Sequence, residues 1–178
     1  MRRIRSYDEF RRRWKSLAGE VLSRPVFDDV SEKAKADRRA RCKDDVLLFA
    51  RTYFPEYVRD GFAKFHREWP ELAALVDEPI LVEAFRGAGK STFFVFLELI
   101  HRICYARSRY IVVGSYVVEK AAIFTARIRL ELAYNPKLRA DFGDFFGEFG
   151  MRKGLKLFDA RIPGSEQLCR VQAVSIGQ

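Results

Sequence analysis

Seven consecutive residues carry the clearest chemistry in this chain: Arg86-Gly87-Ala88-Gly89-Lys90-Ser91-Thr92. A lysine and a hydroxyl directly after closely spaced glycines suit a loop that wraps a phosphate. The glycines let the backbone turn tightly and bring its N–H groups up to the anion. Lys90 is placed to reach the β- and γ-phosphates of a bound nucleotide, and the Ser91 hydroxyl to sit on Mg²⁺. The pattern departs from G-x-x-x-x-G-K-[ST] at one point, because Ala84 holds the first glycine position. A short G-K-S also occurs by chance, so its setting matters.

The setting fits. Pro79-Ile80-Leu81-Val82-Glu83-Ala84-Phe85 precedes the loop and reads as an apolar strand. A long apolar run follows through Cys104, and a helix is predicted to begin near Lys90. Its unpaired N–H groups and positive dipole end would face the same anion. The competing reading is a plain glycine turn between a strand and a helix. Upstream, Phe65-His66 can hold an adenine ring by stacking and an edge hydrogen bond. The alternative there is that Phe65 and Trp69, four apart, are core and His66 is incidental.

Further elements must position this loop. A helix is expected from Asp44, which could cap it, to Pro55, which closes it. Another is expected over Phe62 to Val76. Arg109 to Ser115 reads as a buried strand, whose near-continuous apolar character suits a parallel sheet covered on both faces. Val117 to Asn135 reads as a helix ending at Pro136, and Leu138 to Phe149 is short, aromatic and acidic. Lys156–Phe158 and Leu168–Ile176 are candidate strands separated by a turn at Pro163-Gly164. Strands alternating with helices argue an α/β fold with a phosphate-loop parallel sheet flanked by helices.

The chain divides by composition into a basic helical N-terminal extension, 1–45, and a phosphate-loop domain, 46–178. Residues 1–45 hold 14 Lys or Arg against 9 Asp or Glu. Phe10, Trp14, Leu17 and Val21 fall at helical spacing, Pro25 should follow that helix, and a second polar helix is expected over Val30 to Lys43. This arm either contacts nucleic-acid phosphates or is a solvated helical pair packed on the domain. The whole chain has 178 residues and a formal net charge of +9, which suits a polyanionic partner. Apolar content of 48% excludes a disordered chain. Cys42, Cys104 and Cys169 show neither metal spacing nor a disulfide framework, which points to a reducing cytoplasm. No membrane partner is expected, since the run Phe93 to Cys104 is short and interrupted by Glu98, His101 and Arg102.

Taken together, these segments resemble the N-terminal part of the ATPase domain of a tailed-phage terminase large subunit, the motor that packages DNA. The arginine-bearing loop Arg86 to Thr92 is the most specific part of that likeness. Phe65-His66 before the first strand, Gly114-Ser115 with Ala121-Ala122, Asn135-Pro136-Lys137-Leu138 with Asp141-Phe142-Gly143, and Val171 to Gln178 are looser parts. The resemblance covers roughly residues 44 to 178. It implies ATP and Mg²⁺ as cofactors. The binding residues it implies are Phe65, His66, Arg86, Gly87, Ala88, Gly89, Lys90, Ser91 and Thr92, with Lys90 and Arg86 catalytic and Ser91 the metal ligand. Arg86 would act in cis on the γ-phosphate or shape the loop through a salt bridge. The implied partners are double-stranded DNA, other terminase subunits and the portal, in a host-cell cytoplasm.

Hydrolysis needs a further acidic strand, and none is evident. Leu155-Lys156-Leu157-Phe158-Asp159 is the nearest candidate, but Lys156 interrupts it and Ala160 stands where a second acid belongs. In the terminase order that strand would come after Gln178, followed by a nuclease domain. The expectation is therefore nucleotide binding with little turnover, and an unpaired edge along Ile80 to Val82 that favours self-association or marginal stability. A helicase-like ATPase, a small-molecule kinase and a basic nucleic-acid-binding module with a vestigial loop are the other readings.

Overall fold

The computed structural model describes residues 6–75, 79–147 and 154–177. Val76, Phe149 and Gln178, named above, lie outside the described residues, as do Arg2, Arg3 and Arg5 of the basic extension. The fold is α/β. It runs α1 (Tyr7–Leu22), α2 (Glu32–Cys42), α3 (Val46–Tyr53), two 3₁₀ turns (Pro55–Tyr57 and Lys64–Arg67) and α4 (Trp69–Ala74). After the loop come α5 (Lys90–Thr92), a π-helical stretch (Phe93–Leu97) and α6 (Glu98–Cys104). Then follow β1 (Tyr110–Ser115), α7 (Val118–Tyr134), α8 (Pro136–Phe142), β2 (Leu157–Arg161) and β3 (Leu168–Ser175).

The helix starts are chemically explained. The hydroxyls of Ser6 and Ser31 accept from Glu9 N and Ala34 N, so each satisfies an amide that the helix leaves open. Asp45, rather than the expected Asp44, caps α3 by accepting from Leu48 N at 2.8 Å. Asp44 instead meets the Arg107 guanidinium at 2.6 Å. Asn135 caps α8 through Lys137 N and Leu138 N, with Pro136 at the first helical position, where its missing N–H costs nothing. The helix expected over Phe62 to Val76 divides into the Lys64–Arg67 turn and α4.

The described sheet is three-stranded and mixed, in the order β1-β3-β2. β1 runs parallel to β3, with Tyr110 opposite Arg170 and Ser115 opposite Ser175. β2 runs antiparallel to β3, with Asp159 opposite Arg170. The expected strand over Pro79 to Phe85 does not form: that segment takes part in no sheet, and Leu81 and Phe85 are 85% and 68% exposed. Apolar composition alone cannot make a strand where no neighbour accepts its backbone hydrogen bonds.

Among the described residues the sheet is covered on one face only, contrary to the sequence expectation. Ile111, Val113, Phe158, Cys169, Val171 and Ala173 are buried and share one cluster with Phe49, Phe96, Ile100, Ile103, Ile128 and Leu132 from the helices. The alternate residues Tyr110, Val112 and Leu168 are exposed. On that open face Tyr110 OH donates to Gln172 Oε1 at 2.7 Å and Arg170 holds Asp159 at 2.7 Å. Period-two alternation within β1 and β3 therefore mattered more than their overall apolar content.

The basic N-terminal helix has a core role. Phe10, Leu17, Ala18 and Val21 of α1 are buried with Ala126 and Leu130 of α7. α2 is tied down by Arg38, whose guanidinium makes two bonds to the Asp141 carboxylate of α8 at 2.7 and 2.8 Å. Tyr53 OH donates to the same carboxylate at 2.7 Å.

His101 supplies a stability test. It is buried on α6, with Nε2–H donating to Cys42 O at 3.0 Å and the ring edge-on to Phe49. Burial, which disfavours the charged ring, lowers its pKa from 6.5 to about 4 despite the bond to Cys42. The unfolded chain then binds more protons than the folded one between those values, so stability falls as pH drops through that window. Urea unfolding is expected to show a loss on the order of 1 kcal/mol per pH unit that His101→Gln reduces. Identical pH dependence in both proteins would contradict it.

Candidate functional site

A small hydrophobic cluster fixes the loop from below. Val46 of α3, Trp69 of α4, Ala88 of the loop and Phe93 after α5 are buried together, with Phe65, Leu72, Ala84 and Phe94 packed around them. The Trp69 ring lies 5.4 Å from Phe93 and 5.3 Å from Phe94. Ala88 is the one loop residue that turns its side chain inward, at 4% exposure, so the methyl group anchors the middle of the loop.

The loop backbone takes the form its glycines allow. Gly87 and Gly89 have φ of +95° and +84°, in the left-handed region where a Cβ is disfavoured, while Ala88 between them does not. Alternating backbone of this kind is the form that anion-binding nests take. Ala88 N bonds Phe85 O at 3.3 Å and closes the turn. Gly89 then serves as the N-cap of α5, and Phe93 N returns to Gly89 O at 2.9 Å. The helix therefore starts at Lys90, as the sequence predicts.

His66 is bonded to this loop. Its Nε2 lies 2.8 Å from Ala88 O, and Ala63 N donates to its Nδ1 at 2.9 Å. The ring is flanked by Phe65 at 4.2 Å and Trp69 at 4.6 Å. Phe65 in turn meets Phe85 at 5.7 Å.

Two cavities border the loop. One, of about 340 Å³, is lined by Gly87, Ala88, Gly89, Thr92, His66, Tyr57 and Asp60, among others. The other, of about 310 Å³, is lined by Ile80, Val82, Lys90, Ser91, Phe94 and Val95. His66, Gly87, Ala88, Gly89 and Thr92 thus line the first, Lys90 and Ser91 line the second, and Phe65 packs in the apolar cluster against His66. Lys90 Nζ donates to Ala84 O at 2.8 Å, across the mouth of the loop. Arg86 is exposed and, among the described residues, has no hydrogen bond or ion pair.

Sequence reasoning missed the Tyr57 contribution. Tyr57 lines the 340 Å³ cavity, and its hydroxyl donates to the buried Glu131 carboxylate at 3.0 Å. Glu131 also accepts from Arg24 at 2.8 Å and Asn135 at 2.9 Å. Burial pushes the Glu131 pKa up, while Arg24 and Asn135 oppose that shift. A tyrosine after a proline gives no local signal for such a contact, since its partner lies 74 residues away.

No cluster of three or more His, Cys, Asp or Glu able to hold a metal ion exists among the described residues. Asp159, the nearest acidic candidate in the sequence, is bound to Arg170 on the open face of the sheet. Among the described residues no helix is long and apolar enough to cross a membrane. The chain matches no family model, no curated protein and no solved structure.

The left-handed glycine gives a direct check on the loop geometry. Gly89→Ala makes an ordinary van der Waals contact with His66 Nε2, at 3.7 Å, so only the backbone conformation resists it. The expected cost is about 1–2 kcal/mol in urea unfolding. A variant as stable as the wild type would contradict a left-handed Gly89.

Proposed function

We propose that this chain is the nucleotide-binding part of an ATP-driven motor acting on DNA, of the terminase large-subunit type. The observation that carries the reading is the loop itself. Two left-handed glycines bracket an anchored alanine at the start of a helix, beside a cavity that the loop backbone lines. Backbone amides arranged this way favour a phosphate, and the helix start adds positive potential.

In this reading the loop amides and Lys90 bind the triphosphate, with Lys90 leaving Ala84 O to do so. Ser91 would offer its hydroxyl to Mg²⁺. Exposed Arg86 lends positive charge to the γ-phosphate. Mg²⁺ bound there would neutralise charge on the phosphate oxygens. Asp159, the acidic candidate of the sequence, is engaged by Arg170, which leaves Asp60 as the acid on the wall of the loop cavity, and this reading expects nucleotide binding with little turnover. Exposed Arg11, Arg12 and Lys15 on α1 suit contact with DNA phosphates. The other motor subunits, the portal and a cytoplasmic setting belong to this same proposal.

One observation favours a second reading, a basic nucleic-acid-binding module with a vestigial loop. Lys90 is occupied by Ala84 O and lines a different cavity from Gly87 and Gly89. Titration with a fluorescent ATP analogue separates the two. The wild type is expected to bind and Lys90→Ala to bind at least about tenfold more weakly, which is the loss of one charge-assisted contact. Equal binding by both proteins, with salt-dependent DNA binding indifferent to nucleotide, would select the vestigial loop.

A further inference from the structure

His66 has a position that an adenine contact does not explain. Both ring nitrogens are already committed. Ala63 N–H can only donate and Ala88 C=O can only accept, so Nδ1 must carry the lone pair and Nε2 the proton. The ring is thereby fixed as one neutral tautomer, with no edge left for a base.

We infer that His66 is a positioning residue for the phosphate loop, holding the Ala88 carbonyl so that the Gly87 and Gly89 amides face the anion. The inference rests on the phosphate-loop reading above and gives His66 a different task from base recognition. Three features support it. The bond to Ala88 O, at 2.8 Å, falls at the midpoint of the two left-handed glycines. The Ala88 methyl group is buried on Trp69 and Phe93, so the peptide is gripped by its side chain and its carbonyl together. The ring is itself held by Phe65, Trp69 and the Ala63 amide. An Ala88 peptide free to rotate would turn an oxygen toward the phosphate and repel it.

The test compares His66→Gln with His66→Asn. A glutamine amide reaches where Nε2–H stands and can still donate to Ala88 O. An asparagine amide reaches only as far as Nδ1 and keeps the Ala63 contact alone. Both lose the ring, so any loss from the aromatic stack is common to them. Binding of inorganic tripolyphosphate and of a fluorescent ATP analogue is measured for both variants, wild type and Lys90→Ala. His66→Asn is expected to weaken both ligands alike by about tenfold, and His66→Gln to stay within about threefold of wild type. Loss of ATP binding with tripolyphosphate binding intact would assign His66 to the base and overturn the inference. Equal weakness of the two variants, or wild-type binding by both, would also overturn it.

A ligand-free readout separates this from failure of the phosphate-loop reading. Nitrogen-15 NMR of the unliganded chain is expected to show His66 as the neutral Nε2–H tautomer, with the Gly87 and Gly89 amide signals moved in His66→Asn and not in His66→Gln. An Nδ1–H tautomer would overturn the positioning role whatever binds. A wild type that binds neither ligand, with the NMR result as expected, would instead remove the phosphate-loop reading.

Discussion

A carboxylate taken out of water must be held from every side, and Glu131 imposes that constraint on this fold. It lies near the C-terminal end of α7, which is buried against α1 on one side and the sheet on the other. Its partners come from three separate segments: Arg24 after α1, Tyr57 from the turn after α3, and Asn135 at the start of α8. Asn135 adds a bond to Tyr53 O, and Arg24 also pairs with Glu56. Removing any one partner would leave a buried charge short of donors. Chain segments more than a hundred residues apart are therefore obliged to meet at one point, and the Tyr57 ring carries that point to the wall of the loop cavity.

Below the loop the forces are of another kind. Trp69, Phe93, Val46 and Ala88 form a dry cluster in which every member is apolar. The polar contacts lie above it, at His66 and Lys90, and both are made to loop carbonyls. The carbonyls of Ala84, Phe85, Ala88 and Gly89 are thus occupied, the second of them by Ala88 N within the turn itself. Occupied carbonyls suit an anion, because a carbonyl pointing into the same concavity would oppose a phosphate.

Local patterns were legible where local chemistry decides the outcome. The buried positions of α1 are readable from the spacing of Phe10, Leu17 and Val21, as is its end before Pro25. The glycines at 87 and 89 announce their left-handed turns, and Pro163-Gly164 its turn between β2 and β3. What could not be read depends on partners distant in the chain. Ile80 to Val82 has strand composition, but nothing in its own sequence says whether a neighbour is present. Tyr110 and Val112 look buried beside Ile111 and Val113, yet they face the side of the sheet that no helix covers. His66 was visible as a group near the loop, and its bond to the loop was not, because the Ala88 oxygen that receives it belongs to the backbone.

The π-helical stretch Phe93–Leu97 carries a consequence for how the loop and the core communicate. At its first residue, Phe93 belongs to the small cluster under the loop; further along it and in α6, Phe96, Leu97, Ile100 and Ile103 belong to the main core. One helix serves two hydrophobic bodies by changing phase between them. Each residue advances an α-helix by about 100°, so shortening this stretch by one position would swing the whole face of α6 away from its neighbours. Spacing from Lys90 to Glu98 is thereby as much a part of the fold as the residues that fill it, because it sets which face each hydrophobic body receives.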